Sequence, residues 1–439
     1  SQPQDFDITA PVIDFFLADG RRLDHAVTSG DAKIAILPAQ NSTGESGQRT
    51  VVTAGSFLAR FVETENGQSR LESMHGAPDA RIVNSAPGIP DRVSTSQTVD
   101  ASFLPQGGIA SIIQRGNVIF TDNQTPEKRT QAWADKALYT PSDRLLVLTG
   151  KPRVLNGSML TTAKIVRINR ETDDAFAEGE VKSTYSDLKP QSDGALLASS
   201  SPIHVTAASM TAHNSPAIAV YQGNARLWQD ANIIEAPTIQ FDRDHRSLIA
   251  QGGPAQPVST VLVQAKPGNS SDPGTAAPAP GKKNRAAGNS EEKRRDTDPV
   301  TITSERLTYS DNDRIAHYEG SVAAKGAAFT ASSKSMDVYL VPRSQTAEKQ
   351  SVAGAGRIDH MVAQGNVVIV QPRRRAVGDK LVYTASEDKF VLTGGPPSIF
   401  DAERGKITGV SLTFFRSDDR VLVEGEASTP VVTQTRVAR

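Results

Sequence analysis

The sequence predicts an all-β protein, a stacked jelly roll of about eleven hairpin repeats, each 29 residues long. Three observations predict it. A frame recurs along the chain: a small residue, apolar residues at +3 and +5, and Gly at +16. Turn formers lie between its halves, as in Thr140-Pro141-Ser142-Asp143 and Ser310-Asp311-Asn312-Asp313. The segment through each Gly alternates with period two, as a half-buried strand does: Leu146, Leu148, Gly150, Pro152, Val154.

In chain order, three units with long tips come first: Ala10 to Gly30, Ala54 to Gly76 and Ser96 to Gly116. Four with the 16-residue offset follow: Ala134 to Gly150, Ala163 to Gly179, Ala207 to Gly223 and Ala236 to Gly252. After an interruption come Ser304 to Gly320, the long-tipped Ser333 to Gly365, Gly378 to Gly394 and Gly409 to Gly425. A step of 13 from Gly to the next small residue (150 to 163, 223 to 236, 320 to 333, 365 to 378) completes the period. Each unit reads as two strands, 22 in all. One Gly per return strand, at constant register, predicts a bulge or bend at the same level of every strand. The first strand poses a parity problem, because position zero and position +3 cannot share a face of a regular strand. Either a bulge intervenes or the small residue packs on the other side.

Residues 266–299 (KPGNSSDPGTAAPAPGKKNRAAGNSEEKRRDTDP) have almost no large apolar side chain and read as a disordered linker or insertion. They divide the chain into an N-terminal part of seven hairpin units, 1–265, and a C-terminal part of four, 300–439. Smaller insertions are expected at Ser183 to Ser201 and Pro342 to Gly356.

Composition narrows the function. The net charge of -1 argues against nucleic acid as a partner. No apolar run approaches the roughly 18 residues of a membrane-spanning helix. Seven Tyr and two Trp are too few for the aromatic girdles of a 22-stranded outer-membrane barrel. A propeller needs about four strands and 40–50 residues per blade, and Asp/Asn hairpins with a bent partner do not suit a parallel β-helix. A stack of two antiparallel sheets with apolar inner faces and open ends remains.

Catalytic chemistry is not expected. The chain has no cysteine, no G-x-S-x-G and no Walker loop. His25, His75, His204, His213, His245, His317 and His360 lack ligand spacing and read as surface or turn residues, His317 facing outward. Asp173-Asp174 and Asp418-Asp419 sit at hairpin tips and are explained by turn formation. Arg373-Arg374-Arg375 reads as a solvated turn, with contact to lipid phosphate as the alternative. No cofactor and no metal site are expected, and the protein is not expected to be an enzyme.

ADKALYTPSDRLLVLTGKP (Ala134 to Pro152) and GDKLVYTASEDKFVLTGGP (Gly378 to Pro396) resemble the OstA-type repeat of the lipopolysaccharide transport family, which includes LptA, LptC and the periplasmic N-terminal domain of LptD. GNVIF (Gly116 to Phe120) and GNVVIV (Gly365 to Val370) resemble its return strand. The resemblance covers most of the chain outside 266–299 and is strongest over Ser96 to Val181 and Val300 to Val432. It implies an extended, open, twisted β-jellyroll that carries the lipid A acyl chains of lipopolysaccharide between two sheets. It implies a periplasmic location, with any inner-membrane anchor supplied by a segment outside this chain. It implies partners too: other Lpt jellyrolls joined by edge-strand pairing, an inner-membrane ABC transporter complex and an outer-membrane LptD-like protein. The eleven units exceed a typical LptA or LptC, so an extended form and an LptC–LptA fusion both remain open.

The candidate groove residues are Val118, Phe120, Leu146, Leu148, Val154, Tyr221, Leu227, Met361, Val367, Ile369, Phe390, Leu392, Val421 and Val423. Terminal strands near Ile8 to Phe16 and Ser411 to Thr433 are the expected docking edges. The competing readings are a structural envelope scaffold with a filled core and a carbohydrate-active β-solenoid. The latter would need charged residues clustered on one face, and none fall in register.

Overall fold

The computed structural model describes the chain apart from residues 1–5, 37–48, 65–66, 87, 107, 123–128, 187–200, 243–244, 246, 266–296, 311, 328, 341–357, 402–404, 416–419 and 435–439. Among the described residues every regular element is a β-strand, 34 of them, and the strands pair antiparallel in a jellyroll-like arrangement.

Each of the eleven sequence units is a hairpin. Val12–Ala18 pairs with Arg22–Ser29, Ser56–Glu63 with Ser69–Ala77, and Thr98–Phe103 with Ile109–Asp122. The same holds down to Arg374–Thr384 with Lys389–Thr393 and Ser411–Phe415 with Val421–Glu424. The strands outnumber the expected 22 because the connections fold too. Within the 13-residue step after Gly150, Arg153–Asn156 and Met159–Thr162 form a short hairpin of their own.

The bend explains the Gly. In the strand Ile109–Asp122 the ladder to Thr130–Thr140 jumps from Arg115↔Lys136 to Val118↔Ala134. Gly116 and Asn117 bulge on one strand, and Asp135 is skipped on the other. Both bulged residues have positive φ, +79° and +51°. The same pair of left-handed residues recurs at Gly150/Lys151, Gly179/Glu180, Gly223/Asn224, Gly320/Ser321 and Gly365/Asn366. At Gly150 a side chain is excluded twice over, by φ +77° and because a Cβ there would lie 2.5 Å from Asp135 Cβ. In eight of the eleven units the residue after the small residue is thus the one seated on the next Gly, Gly76, Gly252 and Gly425 being the exceptions, and its amide often bonds the Gly carbonyl: Asp135 N to Gly150 O at 3.2 Å, Lys164 N to Gly179 O at 2.9 Å. This settles the parity problem in favour of a bulge. With +1 dropped from the ladder, positions zero, +3 and +5 all turn inward, as Ala236, Ile239 and Phe241 do. Position zero must be small because the return strand packs on it: a Cβ on Gly378 would meet Leu392 Cγ at 2.8 Å.

The bend also makes two walls. Before Gly116 the strand Ile109–Asp122 pairs outward with Thr98–Phe103; after it, with Ile89–Ser96. Ala175–Tyr185 likewise pairs first with Ile165–Asn169 and then with Met159–Thr162. Strand halves on the tip side of the bends form a first wall, and the halves beyond form a second. Alternate side chains of both face the interior.

The chain makes two compact units. One comprises 1–189, 200–228 and 235–251; the other comprises 190–199, 229–234 and 252–439. In the second unit Val258–Ala265 pairs with Thr297–Ser304 from Val258↔Ser304 to Ala265↔Thr297. Residues 266–296, most of the expected linker, lie outside the described residues, and they join two neighbouring strands. Thr297–Pro299, expected in the linker, begin a strand instead, because the partner's backbone groups extend that far. The insertion expected from Ser183 also starts late: Ser183–Tyr185 complete the strand Ala175–Tyr185, and Ser183 is buried. The Pro342 to Gly356 insertion lies outside the described residues.

Candidate functional site: the space between the walls

Of the fourteen groove candidates, ten are buried: Val118, Leu148, Val154, Tyr221, Leu227, Met361, Val367, Ile369, Phe390 and Leu392. Leu148 and Leu392 are at most 1% exposed, whereas Val147 and Val391 beside them are half-buried. Period-two alternation therefore places one of each pair inward. Phe120, Leu146, Val421 and Val423 are half-buried. Phe120 lies beneath Arg170, Leu146 stands next to a hairpin tip, and Val421 and Val423 belong to a strand paired on one side only.

In the first unit, inward side chains enclose a cavity of about 420 Å³. Its apolar lining includes Val154, Val166, Ile168, Met210 and Phe241. Of the sequence candidates only Val154 lines it. A polar seam crosses the interior. Thr161 and Ser183 hydroxyls are 3.0 Å apart on the second wall, and Ser183 reaches Met210 Sδ at 3.6 Å on the first. Tyr185 and Tyr221 meet across the space with hydroxyls 2.9 Å apart, and Tyr185 sets its ring edge-on to Phe241. Burial pushes the Tyr221 phenol up to about 12, against the smaller opposing pull of Ser183 and Tyr185. The Tyr221 phenol is therefore a neutral hydrogen-bonding group.

In the second unit the interior is aromatic. Phe390 stacks on Phe414 with centroids 5.2 Å apart, lies 4.6 Å from Tyr383, and meets the edge of Phe329 at 5.6 Å. Leu392 stands between Leu381 and Leu412 in the ladder. Deeper in this unit, burial raises the Tyr318 phenol, with the Thr260 hydroxyl opposing the shift.

Among the described residues the charged groups make local ion pairs. Histidines meet carboxylates pairwise: His75 with Asp100 at 2.7 Å, His213 with Asp174 at 3.3 Å, and His317 with both Asp337 and Glu319. Among the described residues no group of three His, Asp or Glu could hold a metal ion. Asp173 and Asp174 occupy a turn, bonded to Arg170 and His213. Asp418-Asp419 lies outside the described residues. In the basic run Arg373 and Arg375 are exposed, as expected of a solvated turn, whereas Arg374 folds onto Asp401 at 3.3 Å with its side chain 9% exposed, because the strand Ser398–Asp401 sets that carboxylate beside it.

Sequence reasoning missed the inter-wall contacts of Tyr185, Tyr221 and Arg170. Parity marks Tyr185 and Tyr221 as inward, and that much signal was present. Their meeting depends on the spacing of two walls.

The outer strands are unpaired on one side. Among the described residues Phe6–Thr9 pairs only with Ala32–Ile36, and Val12–Ala18 only with Arg22–Ser29. Val421–Glu424 pairs only with Ser411–Phe415, and Val432–Gln434 only with Gly405–Thr408. Large apolar side chains cluster there in the open: Val12, Phe15, Phe16 and Leu17 in the first unit, Leu422, Val431 and Val432 in the second. No described helix is long and apolar enough to cross a membrane.

No curated protein matches the chain. Residues 301–420 match the family model described as LptA/(LptD N-terminal domain) LPS transport protein. That segment holds Met361, Val367, Ile369, Phe390 and Leu392, and it falls where the OstA-type motifs are strongest. Over residues 301–420 the chain is thus similar to the lipopolysaccharide transport family of LptA and the LptD N-terminal domain.

Proposed function

We propose that the protein is a non-enzymatic carrier in a periplasmic lipopolysaccharide bridge, holding lipid A acyl chains between its two walls. The observation that carries this reading is the first unit's cavity, roofed and floored by Val154, Val166, Ile168, Met210 and Phe241. Each methylene moved from water into such a space contributes about 0.8 kcal/mol. That is enough to hold a chain and little enough per group to let it move on. The buried Tyr221 phenol stays neutral, so the polar seam opposes an apolar guest less than charges would.

The exposed apolar edge strand of each unit fits strand addition by other Lpt jellyrolls, with an inner-membrane ABC transporter complex and an outer-membrane LptD-like protein as the further partners. Unpaired edges of this length are otherwise an aggregation hazard. The two-part organisation expected from 1–265 and 300–439 suits either an extended form or a fusion of two family members.

The test is direct binding of fluorescent lipopolysaccharide to the purified chain, competed by unlabelled lipopolysaccharide and by its deacylated form. The reading expects competition by the acylated molecule only. Equal competition by the deacylated saccharide favours a carbohydrate-binding β-solenoid, and no binding favours an envelope scaffold.

A further inference from the structure

Among the described residues that line the first unit's cavity, Arg170 reaches from one wall to the other. Arg170 is in the turn after Ile165–Asn169, on the first wall's lip. Its backbone is fixed there, N donating to Arg144 O at 2.7 Å. Its side chain does not point into solvent like an ordinary tip arginine: it is 16% exposed and lines the cavity. The guanidinium carbon sits 5.1 Å above the ring of Phe120, which belongs to the second wall. Asp122, two residues on, also lines the cavity, and Arg92 holds it at 3.3 Å from the same wall. On its own lip Arg170 is only loosely tied, to Asp173 at 3.4 Å. Burial and repulsion from Arg92 disfavour its charge, while Asp173 and Asp122 favour it. The side chain is therefore seated by an opposing lip that both attracts and repels it.

We propose that the cavity opens sideways between these two lips and that Arg170, stacked on Phe120 beside Asp122, is the latch that swings out to admit an acyl chain. This rests on the reading of the cavity as an acyl-chain compartment and adds its point of control. Cation–π contacts at partly exposed sites are weak, so the latch opens often and its loss shifts a rate rather than the fold. Arg170 is a positioning residue for the lips, and the contact has no counterpart in the sequence motifs.

Methionine oxidation reads the mouth without any lipid. Met210 lines the cavity and is 2% exposed; Met74 lies in another cluster of the same unit, and Met336 in the other unit. Dilute hydrogen peroxide added to the full chain should oxidise Met210 about fivefold faster in Arg170→Ala, the factor such a contact supplies. Met74 and Met336 should be unchanged, and Arg170→Lys should fall between, since it keeps the charge and loses the flat stack. Equal Met210 rates in wild type and Arg170→Ala overturn the latch. So does a parallel rise at Met74 and Met336, which would mean general loosening. Uptake of the apolar dye N-phenyl-1-naphthylamine separates the two claims. Faster Met210 oxidation without dye binding in any variant keeps the latch and removes the acyl-chain reading. Saturable dye binding at one rate in both proteins does the reverse.

Discussion

Substituting Gly150 by Ala tests the device that eight of the eleven repeats share. Gly150 has φ +77°, and Lys151 after it has φ +54°. An L-residue in the left-handed region costs about 1–2 kcal/mol. A Cβ at 150 would also lie 2.5 Å from Asp135 Cβ and 2.6 Å from its Oδ2. Asp135 Cβ is fixed to the backbone, so rotation cannot relieve the first contact. Overpacking of this kind costs about 1–3 kcal/mol. The expected loss for Gly150→Ala is therefore about 2–5 kcal/mol. The two parts separate in a cycle: Asp135→Gly removes the crowding atoms and leaves the dihedral cost. Gly20→Ala, with φ +67° and nothing within 4 Å, supplies the dihedral cost alone. Both tryptophans, Trp133 and Trp228, lie in the first unit, so urea unfolding followed by tryptophan fluorescence reports that unit selectively. The double variant should recover about 1–3 kcal/mol relative to Gly150→Ala. A loss below about 0.5 kcal/mol for Gly150→Ala, the range of an ordinary surface change, would refute the argument. So would a double variant no more stable than the single one.

Other outcomes follow from the same geometry. Tyr185→Phe should cost the first unit about 1–2 kcal/mol in the fluorescence assay, because it strips a partner from the buried Tyr221 hydroxyl. The Tyr185→Phe/Tyr221→Phe pair should cost less than the sum of the single changes; strict additivity would show that the two hydroxyls do not interact. His317 is partly buried, which alone would lower its pKa, but hydrogen bonds to Asp337 and Glu319 outweigh burial and raise it. Its contribution is thus fully present below the unfolded value of about 6.5 and is lost as pH rises through the raised folded value. Calorimetry of the second unit should show melting falling across that window in wild type, with a flatter profile in His317→Gln; identical profiles contradict the assignment. Phe15→Lys with Leu17→Lys should weaken end-to-end association in sedimentation and leave melting unchanged, since both side chains are more than half exposed. Unaltered association would remove that edge as a docking surface.

Much of the fold was legible because most repeats carry the same steric constraint. A left-handed residue facing the side chain at +1 has to be Gly, so the Gly period reports the bend in eight units, and Gly76, Gly252 and Gly425 keep the period without the left-handed conformation. Position zero stays small because residues such as Leu392 pack on it, and that also is written in the sequence. Parity then assigns Leu148 and Leu392 inward without further information. The skipped +1 residue was only half legible: the parity conflict announced an irregularity and did not say which strand absorbed it. The connecting hairpin of Arg153–Asn156 and Met159–Thr162 escaped notice because four-residue strands carry too little alternation. The candidate site was harder. Arg170 looks like a solvated tip residue until the opposite wall brings Phe120 and Asp122 beneath it. Tyr185 and Tyr221, 36 residues apart, meet only because two walls converge at one spacing. Wall spacing is a property of packing, and no local pattern encodes it.

Site-specific photo-crosslinking in cells actively exporting lipopolysaccharide tests the central claim most directly. A photoreactive residue at Leu148 or Leu392, both pointing between the walls, should capture lipopolysaccharide. The same residue at Val147 or Val391, one position away and on the opposite face, should capture little, because side chains alternate with period two. Capture at the two inward positions above the two outward ones is the predicted result. Equal capture at Leu148 and Val147, or none at either inward position, would contradict transport between the walls.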